Sequence, residues 1–164
     1  YGPHTEIFRD GKPHKTGFQV FIENASCGNP IELWGDCEKG RDILYVKDVI
    51  SAIILALGSR NASGLYNIAS GSLLSLREEA EQIVKAFSPK DRPSRIVYRP
   101  EIPNSIQPFL YDIAKARRDL GWAPKYSFRE MLEDYKTEMK SGRFNFLVRR
   151  RLEMLGKVSS QVSG

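Results

Sequence analysis

Arg41 and the aspartates Asp42 and Asp48 bracket an apolar run, Ile43-Leu44-Tyr45-Val46, within residues 40–48. An arginine just outside a buried strand is well placed to grip a phosphate, because its planar fork offers two parallel charge-assisted hydrogen bonds. The same residue types also make an ordinary structural Arg–Asp pair, and the residues alone leave both readings open. Tyr111 and Lys115 stand at the Tyr-x-x-x-Lys spacing in which a lysine lowers a phenol's pKa for general-base work. That pair opens a short helix far from any cofactor loop, and a packed tyrosine beside a solvated lysine is the simpler account. The acidic neighbours Glu78-Glu79 and Glu133-Asp134 point off different sides of their helices and read as solvated positions.

Other chemistries lack their residues. Backbone amides approach a dinucleotide pyrophosphate through a glycine-rich turn between strand and helix. Here no two glycines stand two apart, and no phosphate loop ends in Lys-Ser or Lys-Thr. No Gly-x-Ser-x-Gly elbow supports serine hydrolysis. His4, His14, Cys27 and Cys37 are metal-ligand types, but separations of ten residues or more match no compact ligand pair, so no metal is expected. Two thiols make no disulfide framework, and a reducing cytoplasm is the simpler home.

The elements that would position these residues alternate along the chain. Residues 1–16 show no apolar period and read as loop. Phe18, Phe21, Ile22 and Ala25 recur at helical spacing until Gly28-Asn29-Pro30 ends the helix. Ile31 to Trp34 alternates as a short strand, Ile43 to Val46 reads as a second, and Asp48 is the expected N-cap of a helix through Leu57. That helix is apolar on nearly every face and is expected to be buried. Leu65 to Ala69, bounded by Gly64 and Gly71, reads as a strand. Ser75-x-x-Glu78 opens a helix over 76–87, Arg95 to Arg99 reads as a strand, Asp112 caps a helix over 113–120, and Ser127-x-x-Glu130 opens one to Lys140. A last helix, 144–155, leads into a polar tail expected to be disordered. Few short strands among helices fit a small mixed α/β lobe better than a complete doubly wound sheet.

A composition of 41% hydrophobic and 27% charged residues is that of a soluble globular protein, and no apolar run approaches the ~20 residues of a membrane span. The chain opens at Tyr1-Gly2-Pro3 with neither an initiator methionine nor a secretory leader pattern, which reads as a fragment boundary. The net charge of +5 is concentrated at the end: Arg143, Arg149, Arg150, Arg151 and Lys157 face only Glu153 between residues 141 and 158. The division is therefore a lobe over 1–140 and a basic terminal helix with a flexible tail over 141–164. A solvated charged helix is preferred over a membrane or nucleic-acid binder there.

Taken in order, several segments resemble a known family. They are Tyr1-Gly2-Pro3, Asn29-Pro30-Ile31-Glu32-Leu33-Trp34-Gly35-Asp36, Arg41-Asp42-Ile43-Leu44-Tyr45-Val46-Lys47-Asp48, Gly64-Leu65-Tyr66-Asn67-Ile68-Ala69-Ser70-Gly71, Ser75-Leu76-Arg77-Glu78, Asp112-Ile113-Ala114-Lys115-Ala116 and Leu120-Gly121-Trp122-Ala123-Pro124. The series resembles the carboxy-terminal half of the extended short-chain dehydrogenase/reductases, the NAD-dependent sugar-nucleotide epimerases and dehydratases. The resemblance implies a small α/β substrate-binding lobe whose partner, an absent Rossmann half, holds NAD and the catalytic Tyr-x-x-x-Lys pair. In such enzymes NAD takes a hydride from a sugar carbon and a keto sugar forms.

By position, Arg41 resembles the arginine on the substrate diphosphate, with Asp42 orienting it and Tyr45 packed nearby, while Ile31 to Leu33 resembles the stretch against the base. Many members carry a second arginine about ten residues before the aspartate matching Asp112; here that stretch is Glu101-Ile102-Pro103-Asn104-Ser105, and Arg99 is the nearest substitute. The implied partners are a nucleotide-diphosphate sugar, the Rossmann half and a second copy of the chain, with no nucleic acid or membrane. The chain alone is expected to bind no cofactor, to hold no catalytic residue and to be inactive. The rival reading is a protein-interaction module that binds no sugar nucleotide.

Overall fold

A computed structural model describes residues 1–3, 7–9, 12–143, 145–146 and 149–150. The mixed α/β character expected from the sequence is what forms: short strands, interleaved with five helices among the described residues. The strands pair only two by two. β1 (Ile7–Arg9) and β2 (Lys12–His14) make an antiparallel hairpin where a loop was expected. β3 (Ile31–Trp34) runs parallel to β6 (Ile96–Arg99), with Ile31 opposite Ile96 and Trp34 opposite Arg99. β4 (Gly40–Asp42) runs antiparallel to β5 (Leu73–Ser75), with Arg41 opposite Leu74.

The β4 ladder sits three residues ahead of the apolar run that suggested it. Gly40 eases the close approach: a Cβ there would lie 3.0 Å from the Leu73 Cβ, tight enough that the neighbour would have to shift. The apolar run instead ends at Tyr45, whose extended backbone (φ −80°, ψ 141°) is the N-cap of α2 (Val46–Gly58). Asp48 is thus not the cap but a buried residue of the first turn. Its carboxylate accepts from the backbone N–H groups of Lys125 (2.9 Å) and Tyr126 (3.3 Å), tying α2 to the segment before the last helix.

One core gathers α1 (Gly17–Ser26), β3, α3 (Leu76–Phe87) and α5 (Phe128–Ser141) around Phe18, Ile31, Leu33, Ile83, Met131 and Tyr135. Capping boxes start all three helices: Ser75/Glu78 and Ser127/Glu130 as the sequence announces, and Thr16/Gln19 besides. A smaller core packs Ala52 of α2 against Ile113, Ala116, Leu120 and Trp122, around α4 (Ala114–Leu120).

Two expectations fail beside that smaller core. The apolar helix α2 buries only Asp48 and Ala52, while Ile50, Ile53, Ile54, Leu55 and Leu57 face solvent. Residues 65–69 form no ladder, although Ala69 is buried in the small core. The terminal helix expected over 144–155 and the tail after it lie largely outside the described residues.

Candidate functional site

Arg41 leaves β4 with its side chain 40% exposed, and its Nη2 donates to Glu79 Oε2 at 2.9 Å. Glu79 is almost completely buried (1%). The 3.6-residue period explains why: Leu76, Glu79, Ala80 and Ile83 fall on one stripe of α3, and that stripe faces the core. Reading Glu78-Glu79 as two solvated acids missed this. Only Glu78 faces out, where it completes the capping box. Burial pushes the Glu79 carboxyl above its usual range, against the opposing pull of Arg41. Tyr1 closes the same corner. Its ring stacks on Phe18 at 4.3 Å, its backbone nitrogen donates to the Leu44 carbonyl at 2.7 Å, and burial beside Glu79 pushes its phenol far up.

Asp42 does not orient Arg41. Its oxygens accept from Ser70 N and Oγ (both 2.6 Å) and from Gly71 N (3.0 Å), so it fixes the turn after residues 65–69. The carboxylate beside Arg41 comes from α3 instead. Tyr45 is packed inside the main core at 2% exposure; its hydroxyl donates to Asp134 Oδ2 (2.6 Å), and burial and that carboxylate push its pKa up. Glu133-Asp134 therefore also divides, with Asp134 engaged by Tyr45 and Lys47 and Glu133 on the surface.

A second feature lies on β3. Ile31 and Leu33 are 0% and 1% exposed, so their side chains belong to the core. The alternation of the strand turns Glu32 and Trp34 outward instead, and both line a cleft of about 680 Å³ with Val20, Phe21 and Asn104. Trp34 Nε1 donates to Glu32 Oε2 at 3.3 Å, holding the indole along one wall. Arg99 pairs with this same Glu32 at 3.3 Å, across the parallel ladder, and not with the Arg41 corner. Asn104, from the stretch lacking the second arginine, donates to the Trp34 carbonyl (2.5 Å) and the Asp36 carbonyl (3.1 Å). That contact needs Gly35 at φ +64°, since a Cβ there would lie 2.9 Å from Asn104 N.

The remaining candidates find other uses. Lys115 sits 3.5 Å above the Tyr66 ring and donates to the Ser63 carbonyl (2.6 Å), while Tyr111 is exposed, so the two do not form an acid–base pair. Among the described residues no group of three or more His, Cys, Asp or Glu could hold a metal, and no helix is long and apolar enough to cross a membrane. The residues described do not fit NAD: two-stranded ladders offer no crevice in a wide parallel sheet, and no strand-to-helix junction carries a pair of glycines.

The family model described as GDP-mannose 4,6 dehydratase matches residues 14–135, roughly three quarters of the chain. A low-salt glycan biosynthesis protein of Haloferax volcanii is 31% identical over 113 residues, covering 69% of this chain and 36% of that protein. The dTDP-glucose 4,6-dehydratase of Xanthomonas campestris is 28% identical, with 68% and 34% covered. Among solved structures, an epimerase of Methanothermobacter thermautotrophicus superposes with a TM-score of 0.72 at 27% identity, over 92% of this chain and 43% of that one. The UDP-glucose 4-epimerase of Thermotoga maritima, solved with UDP-glucose, gives 0.68 at 25% identity, over 86% and 43%. The chain thus spans well under half the length of these relatives.

Proposed function

Because the chain belongs to the GDP-mannose 4,6-dehydratase family of NAD-dependent sugar-nucleotide epimerases and dehydratases, we propose that it is the substrate-binding portion of such an enzyme. Arg41 is the group that grips the diphosphate of a nucleotide sugar. The single observation carrying this reading is the state of that arginine: one nitrogen is held by a buried carboxylate, and the side chain remains 40% exposed. A fork held on one side and open on the other suits bidentate contact with phosphate oxygens. The cleft beside β3 supplies an exposed indole and the side-chain amide of Asn104, an apolar plate and a polar group of the kind that seats a base.

NAD belongs on the half that this chain does not supply; bound there, it would accept a hydride from the sugar. This chain's residues bind and orient and move no proton, so the chain with NAD and nucleotide sugars alone oxidises nothing. The exposed aliphatic face of α2 supports the same division, since a lobe made to sit against another half leaves such a face uncovered. Alone, the chain self-associates through it.

Calorimetric titration of UDP-, dTDP-, GDP- and CDP-sugars tests the reading, with Arg41→Ala as control. One class of base is expected to bind, and Arg41→Ala to weaken it at least tenfold, the scale of a lost charge-assisted contact of about 1.5–3 kcal/mol. Silence across the panel, or sugar oxidation by the chain with NAD, would overturn it. The rival reading, a protein-interaction module that binds no sugar nucleotide, also draws on α2, and a panel silent for the wild type and Arg41→Ala alike would favour it.

A further inference from the structure

The carboxylate behind Arg41 stands where packing alone calls for an aliphatic side chain, and its polar neighbours there are Arg41 and the Tyr1 phenol. Glu79 occupies a core stripe with Leu76, Ala80 and Ile83, where leucine would fill the space without the cost of desolvating a charge. Its position is tightly fixed. The Ser75/Glu78 capping box sets the first turn of α3, and the neighbours on its stripe are packed at 0–9% exposure. One oxygen, Oε2, accepts from Arg41, whereas Oε1 is buried with no hydrogen-bond partner. What this acid supplies is a fixed acceptor for one nitrogen of a guanidinium whose side chain remains 40% exposed. An unheld arginine must surrender its rotamer freedom when it binds an anion; one already held does not.

We propose that Glu79 is a positioning residue for anion binding, holding Arg41 by Nη2 so that its remaining N–H donors are aimed outward at a diphosphate. The inference rests on the diphosphate reading of Arg41, and the test separates the two. Inorganic pyrophosphate is the probe, because it presents the diphosphate without a base. It is titrated calorimetrically into the wild-type chain, Glu79→Gln, Glu79→Leu, Glu79→Met, Arg41→Ala and the Arg41→Ala/Glu79→Leu double variant, each first shown to melt cooperatively.

The apolar variants are expected to bind pyrophosphate about three- to tenfold more weakly, the scale of immobilising one long side chain. Glu79→Gln keeps a carbonyl acceptor for Nη2 and binds at least as tightly as wild type, since it also removes a negative charge. In the Arg41→Ala background, Glu79→Leu changes nothing further. Tighter binding by Leu, Met and Gln alike would mean that Glu79 acts only as an opposing charge, and wild-type affinity in all three would mean that it only fills space. Either result overturns the positioning role alone. A wild-type chain that ignores pyrophosphate, or binds it equally well after Arg41→Ala, overturns the reading of Arg41 and this inference with it.

Discussion

Helices α2 and α3 are nearly equal in length, 13 and 12 residues, and their fates are opposite. The less apolar one, α3, carries charge on most of its surface yet sinks Leu76, Glu79, Ala80 and Ile83 into the main core. The more apolar one, α2, leaves five large aliphatic residues in solvent and is held by a buried aspartate, a buried alanine and a charged first turn. Apolar content measures how much surface a helix must cover, whereas the arrangement of the residues decides what can cover it. A single stripe, as on α3, is satisfied by one neighbouring layer. A helix apolar all round needs neighbours on several sides, and among the described residues α2 meets the main core and α5 only through its first turn, at Val46 and Lys47, and beyond that the small core around α4.

Matched truncations on the two helices should break the symmetry most strongly. Ile83→Ala, at a site with no exposure, is expected to destabilise the chain by about 2–5 kcal/mol. Ile54→Ala, at 63% exposure, should stay within about 0.5 kcal/mol. Urea unfolding of the two variants measures this, and equal losses would mean that α2 is covered in solution. Ile54→Lys adds a second readout, because it should disperse the self-association expected of the α2 face in light scattering.

If α2 owes so little to its aliphatic residues, its polar anchor should matter more. Asp48→Ala leaves two partly buried backbone N–H groups, those of Lys125 and Tyr126, without their acceptor. A loss of about 1–3 kcal/mol in thermal or urea unfolding follows. A change under about 0.5 kcal/mol would return the credit to the aliphatic face.

The two helices also mark how far the sequence could be read. Capping boxes at Ser75/Glu78 and Ser127/Glu130 are local signals, and both helices begin where those boxes put them. Arg41 was legible as a solvent-facing cation near a strand. Its partner was not, because Glu79 is recognised only by phasing α3 and seeing that an acid falls on the apolar stripe. Ile31 to Trp34 was legible as an alternating strand, but that Ile31 and Leu33 form its buried side depends on α1 and α3, which the strand itself does not show. The strand expected at residues 65–69 and the buried α2 both failed for one physical reason. Strand pairing and helix burial are properties of neighbours, and local pattern cannot say whether this chain supplies them.

The smallest effect separates the helices by sign. In the first turn of α2, Lys47 bridges Asp134 (2.7 Å) and Glu138 (3.0 Å) of α5. Burial opposes the charge on Asp134, but the hydrogen bonds from Lys47 and Tyr45 win and hold it below its ordinary range; Arg143 and then Lys47 do the same for Glu138. Groups depressed in the folded state add stability that is complete above their unfolded values, near pH 4, and is lost as pH falls through the folded ones. Glu79 on α3 is raised, so its contribution has the opposite sign: complete below the unfolded value, lost as pH rises through the folded one. Lys47→Met should therefore lower the melting temperature at pH 7 more than at pH 3, flattening the acid limb of the profile. Glu79→Gln, which resembles the protonated acid, should match wild type in acid and melt no lower than wild type at pH 7. Melts of both variants across this range check the signs together. If Glu79→Gln loses stability at neutral pH, the ion pair with Arg41 outweighs the burial of the acid, and the charge in the core of α3 stabilises the fold just as the clamp on α2 does.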